Sequence, residues 1–173
     1  MTHIARKELS AGRVMLRRTY IWTFVVMAFT GFGQMPIFKR YYLADVPGLG
    51  WTAKFYVTHY IHYLGAILLL GLIAFGMVDY LLSGKKELSL THSAYVRIAV
   101  LSGIVFTGVL RVIKNLPDVV FSAGFTQFID ISHLGFMLIY ILIAFSFLVA
   151  RSGWVVPRSR STTFVETSLR MHA

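Results

Sequence analysis

Three histidines lie inside stretches of sequence that are otherwise almost wholly apolar: His59, His62 and His133. Ionisable side chains are rare in such surroundings, and where they occur they usually ligate a metal, carry a proton or tie helices together. A neutral imidazole offers one ring nitrogen to zinc, copper or haem iron. The remaining histidines, His3, His92 and His172, fall in polar segments where solvated surface accounts for them. The chain has no cysteine, which excludes disulfides, thiolate clusters and a covalently attached c-type haem. An iron centre here would draw on His, Met or carboxylate ligands, with His the natural choice in an apolar setting.

Spacing narrows the chemistry. His62 lies seven residues after Phe55 and His133 six residues after Gln127, the starts of the second and fourth apolar runs. At 1.5 Å per residue both imidazoles then sit about 10 Å below the boundary where their helices begin. Two helices running the same way would present them at a common level, where a haem takes one axial ligand from each. His59 stands one turn outward of His62, and Asp130 has the same relation to His133. Two alternatives use the same residues. The imidazoles could serve only as hydrogen bonds between helices, or His59, His62, His133 and Asp130 could hold zinc, given also a base and a water path. A carboxylate-bridged di-metal centre needs inward glutamates in a Glu-x-x-His pattern, and no apolar run contains Glu.

The elements that must position these groups are membrane helices. Apolar residues make up 57% of the 173, charged residues 14%, and the mean hydropathy is +0.69. A soluble domain carries about 25% charged residues. Four apolar runs, at about 19–38, 55–82, 94–113 and 127–150, each meet the roughly 20 residues that a span requires. Short links at 39–54, 83–93 and 114–126 predict an all-α, integral membrane, up-down-up-down four-helix bundle. The second run is long enough to tilt or project, and Arg97 and Arg111 near the ends of the third are placed to snorkel. Neither an internal repeat nor a low-complexity segment is evident.

The net charge of +10 sits at the ends of the apolar runs rather than along one face, which fits a membrane protein and not a nucleic-acid binder. Twelve Lys and Arg fall in the N-terminal segment 1–18, the second link with Arg97, and the tail 151–173, against five on the opposite side. The positive-inside rule therefore expects both termini in the cytoplasm. Segment 1–18 reads as cytoplasmic and basic, with Arg6 to Arg18 placed to lie on the inner leaflet as a short helix. The first run exceeds a usual signal-peptide core and lacks a small-x-small site, so an uncleaved first span is expected.

Several short motifs, in order, carry a family resemblance. They are Arg18-Thr19-Tyr20-Ile21-Trp22 with Thr30-Gly31 in the first run and His62-Tyr63-Leu64-Gly65 in the second. Thr107-Gly108-Val109 follows in the third, and Ile131-Ser132-His133 with Gly135 in the fourth. Over most of residues 14–150 the chain resembles the membrane cytochrome b subunits of formate dehydrogenases and nickel-iron hydrogenases, with related thiosulfate-reductase anchors. Members of that family usually bind two b haems. The resemblance implies that His62 and His133 are the axial ligands of the outer one. The second pair is absent, because its positions hold Ile21 and Phe147. One non-covalent haem b is therefore expected, with His59 as a propionate contact or alternative ligand.

The implied role is a non-catalytic electron-transfer subunit in a bacterial-type cytoplasmic membrane. It would link an outer iron-sulfur subunit or multihaem cytochrome c, itself joined to a catalytic oxidoreductase subunit, to menaquinone or ubiquinone. With the inner haem gone, the quinone site is expected near the remaining one, or a partner chain completes the route; Asp79 could relay protons or simply snorkel. Competing readings are a haem-free anchor for a peripheral oxidoreductase and a small four-helix protein that handles protons or solutes.

Overall fold

A computed structural model of the chain describes residues 3–35 and 43–158. The chain divides into two compact units, residues 1–82 and 83–173.

The first unit is a pair of long helices, α1 (His3–Gly33) and α2 (Phe55–Leu82). The second helix has the expected bounds. The first does not: the basic segment runs unbroken into the apolar one, and the helix ends at Gly33, short of position 38. Residues 36–38 of that expected span lie outside the described residues. The apolar part of α1, from 19 to 33, is about 22 Å long, less than a hydrocarbon core of about 30 Å. Contacts between the helices run in opposite senses. A Cβ on Gly33 would meet Thr58, Thr30 meets His62, and a Cβ on Gly65 would meet Met27, so the pair is antiparallel. The link reverses at Pro47-Gly48, where Gly48 has φ +87°, a left-handed conformation that glycine adopts without a Cβ clash. One turn of 3₁₀ helix, Gly50–Ala53, then brings Trp51 within 5.9 Å of Phe29, so this aromatic packs on α1.

The second unit pairs α3 (His92–Ile113) with α4 (Ala123–Val149). Each begins on a side-chain cap: the Thr91 hydroxyl accepts from the Ala94 N–H at 3.1 Å, and Ser122 from Phe125 at 3.3 Å. Such caps satisfy helix N–H groups that would otherwise lack acceptors. Because Ser122 caps it, α4 starts a turn before position 127, and His133 lies ten residues along its helix rather than six. Antiparallel packing is again visible in the contacts, from Arg97 with Phe147 to Lys114 with Asp130.

The ends of this unit are latched together. After α4 the N–H groups of Arg151 and Ser152 return to the carbonyls of Leu148 and Phe147, with Arg151 at φ +50°. That is a Schellman C-cap, carrying an arginine where glycine is usual. Thr91 and Ser93 then donate to the Gly153 carbonyl at 2.7 and 3.1 Å. Two short antiparallel strands, β1 (Leu88–Leu90) and β2 (Val155–Pro157), complete the closure. The second link and the start of the tail are thus joined, while 159–173 lie outside the described residues. Arg97 does not snorkel as expected. Only 6% exposed, it lies with its guanidinium carbon 4.9 Å from the Phe147 ring and 5.1 Å from Trp154, and donates to the Ser152 carbonyl at 2.9 Å.

Large apolar side chains such as Ile67, Phe75, Leu142 and Phe145 are exposed along α2 and α4. Among the described residues α2, α3 and α4 are long and apolar enough to cross a membrane; α1 is not.

Candidate functional site

Each unit builds the same small site around one histidine. In the first, His62 Nδ1 lies 3.0 Å from the Met27 carbonyl and 3.1 Å from Thr30 Oγ1. A carbonyl oxygen can only accept, so Nδ1 carries the proton. The Thr30 hydroxyl directs its own proton to the Val26 carbonyl at 2.8 Å, which turns its lone pairs toward the ring. In the second unit, His133 Nδ1 lies 2.9 Å from Thr107 Oγ1, whose proton goes to the Gly103 carbonyl at 2.7 Å. With the Thr107 proton on that carbonyl, His133 Nδ1 is the donor to Thr107 Oγ1. Both neutral rings therefore keep their basic lone pair on Nε2.

A glycine follows each threonine and admits the ring. A Cβ added to Gly31 would stand 3.3 Å from His62 Cε1, and one on Gly108 would stand 3.3 Å from His133 Cε1. The tripeptide that does this work recurs, as Phe29-Thr30-Gly31 on α1 and Phe106-Thr107-Gly108 on α3. Its two copies become equivalent only once the helix pairs place a histidine opposite each. Thr30-Gly31 and Thr107-Gly108 are visible in the sequence, but their partners are not.

The turn outward of each histidine differs between the units. His59 Nδ1 donates to Gln34 Oε1 at 3.3 Å, and its ring stacks on Phe55 at 5.3 Å and lies 4.3 Å from Tyr63. With its proton committed to Gln34, a neutral His59 presents an acceptor on Nε2, so contact with a propionate would require the imidazolium. The equivalent Asp130 is held by Arg111 Nε at 3.0 Å and by Lys114 Nζ, which lies 2.7 Å from both carboxylate oxygens. Arg111, expected to snorkel, faces this carboxylate instead.

Among the described residues no three of His, Cys, Asp or Glu come together to hold a metal ion. Bis-histidine haem ligation asks for less, namely one oriented imidazole nitrogen on each side, with the rest of the coordination supplied by the porphyrin. The His62 and His133 settings fit that demand, since ligating histidines usually donate the second ring N–H to an oxygen that fixes tautomer and orientation. Ile21 is exposed on α1, Phe147 is engaged by Arg97, and Asp79 is exposed near the end of α2. Comparison with protein-family models, curated proteins and solved structures finds no match to this chain.

Proposed function

We propose that this chain is a multi-pass membrane cytochrome b subunit holding one non-covalent b haem with His62 and His133 as axial ligands. It would pass electrons between an outer iron-sulfur or multihaem cytochrome partner and the menaquinone or ubiquinone pool. One observation carries the reading: two separate helix pairs each prepare a histidine with Nδ1–H held by oxygen, leaving Nε2 as the ligating nitrogen. Three helices apolar enough to span a membrane support the setting.

When bound, the haem supplies a one-electron ferric–ferrous couple. The protein residues act around it. His62 and His133 would give Nε2 to the iron, and Thr30, Thr107 and the Met27 carbonyl hold the rings against rotation. Gly31 and Gly108 keep the space beside each imidazole clear. A single haem is supported by what stands at the second ligand pair of the resembled family, an exposed isoleucine and a phenylalanine under a guanidinium. The excess of basic residues on one side would place both termini in the cytoplasm and the histidines toward the outer face.

The same hydrogen bonds would tie helices together in a haem-free anchor, which makes the cofactor itself the test. Purified protein reduced with dithionite is expected to show a b-type α-band, and a pyridine haemochrome assay one haem per chain. His62→Ala and His133→Ala should each lose nearly all of it with helicity retained by circular dichroism. Two haems per chain would overturn the single-haem count, and none would favour the anchor.

A further inference from the structure

We propose that Thr30 and Thr107 are positioning residues that set the electron-donating strength of His62 and His133, and with it the reduction potential of the iron they hold. The proposal rests on the haem reading above and adds a role that the ligands alone do not imply. Its basis is the polarity of two short chains of hydrogen bonds. In each, a helix carbonyl takes the threonine proton (Val26 at 2.8 Å, Gly103 at 2.7 Å), and the hydroxyl oxygen so polarised takes the proton of Nδ1 (3.1 and 2.9 Å). Linked hydrogen bonds of one sense strengthen each other. The Nδ1–H bond therefore lengthens, negative charge accumulates on the ring, and Nε2 becomes a stronger donor.

A stronger donor stabilises ferric iron more than ferrous iron, so both threonines lower the potential. Their burial makes the effect larger than in water, since Thr30 is 1% exposed and Thr107 5%. The backbone geometry also makes the role specific to a hydroxyl. Valine has the same shape but accepts nothing, whereas serine keeps the oxygen. The two threonines lie in different units, so their contributions should add.

The test is potentiometric titration of the purified holoprotein, with Thr30→Val, Thr107→Val, the double variant, and the serine variants as controls. Each valine variant is expected to raise the midpoint potential while retaining haem. The shift corresponds to up to about a tenfold change in the ferric-to-ferrous binding ratio, about 59 mV for a one-electron couple. Thr30→Val leaves the Met27 carbonyl as an acceptor and should give only the part the hydroxyl carries. Serine variants should stay near the wild-type value. Unshifted potentials in both valine variants at full haem content, or serine shifts as large as valine shifts, would overturn the proposal.

A second readout does not depend on the cofactor. Nitrogen-15 NMR of histidine-labelled, haem-free protein in micelles reports which ring nitrogen carries the proton. Wild type should show the Nδ1–H form at His62 and His133, and Thr107→Val should move His133 toward a mixture with Nε2–H. If the protein purifies without haem, the functional reading fails on its own. These spectra then decide the threonine assignment: loss of the Nδ1–H preference in Thr107→Val upholds it and retention overturns it.

Discussion

Close approach between backbone and side chain is what each histidine site demands of its neighbours, and glycines supply it in two distinct ways. Gly31 and Gly108 stand beside the imidazoles. Gly65 and Gly103 accept a large residue from the facing helix, Met27 in one unit and Phe136 in the other. A Cβ on Gly103 would lie 2.8–2.9 Å from three atoms of the rigid Phe136 ring, and one on Gly65 2.7 Å from Met27 Cγ. Methionine has several rotatable bonds and can refill an irregular gap, whereas the ring must move as a whole. Gly103→Ala is therefore expected to cost about 1–3 kcal/mol, as overpacking commonly does, and Gly65→Ala less. Thermal denaturation in detergent, followed by circular dichroism, should rank them in that order.

At this scale the histidines themselves were legible because a polar atom in an apolar run is conspicuous. Their threonine partners were not. A threonine in a hydrophobic helix satisfies itself on its own preceding turn, as Thr30 and Thr107 both do, so nothing in the linear order marks the second bond it makes. Asp130 likewise reads as a counterpart of His59 by position, and only the packing assigns it to Arg111 and Lys114.

Among the elements, the long apolar helices follow from composition and length, and α2 was legible to the residue. Their ends follow from local chemistry. A basic stretch with no proline carries α1 back to His3, and Ser122 moves the start of α4 upstream. The latch at the end of the second unit was hidden, because its strands are three residues each and 65 positions apart at their first residues' partners, Leu90 with Val155. Arg97 holds that latch through two aromatic faces and one carbonyl. Cation–π contacts contribute about 0.5–2 kcal/mol each, and they need the flat guanidinium. Arg97→Lys and Arg97→Met should both loosen residues 152–157, seen as faster protease cleavage and faster amide exchange there. Overall helicity by circular dichroism should stay as in wild type. Unchanged protection in Arg97→Met would show that the hydroxyl network and the strand pair suffice.

For the whole molecule the question is how four helices of unequal apolar length meet a bilayer. The apolar part of α1 is the shortest, yet it is paired along its length with α2, which is long enough to cross. On the proposed reading α1 crosses beside it, and both termini lie on one side. The absence of cysteine makes this directly testable, since single thiols can be introduced without removing any. Gly12→Cys and Arg158→Cys should react with an impermeant maleimide only from the cytoplasmic face. Val120→Cys, in a link where the side chain is 92% exposed, should react only from the other. Labelling of Gly12→Cys from the outer face would mean that α1 does not cross.

The glycines also settle which helix may marry which. Aligned on their threonines and histidines, α2 has a gap at Gly65 where α4 has bulk at Phe136, and α3 has its gap at Gly103 where α1 has Val26. Exchange of partners in the same register would press Phe136 against Val26 in one false couple, while Gly65 would face Ile104 in place of Met27 in the other. Such overpacking is unfavourable. A chain that repeats its Phe-Thr-Gly sequence thus carries, one turn away, a difference in bulk that opposes a false pairing of α1 with α4.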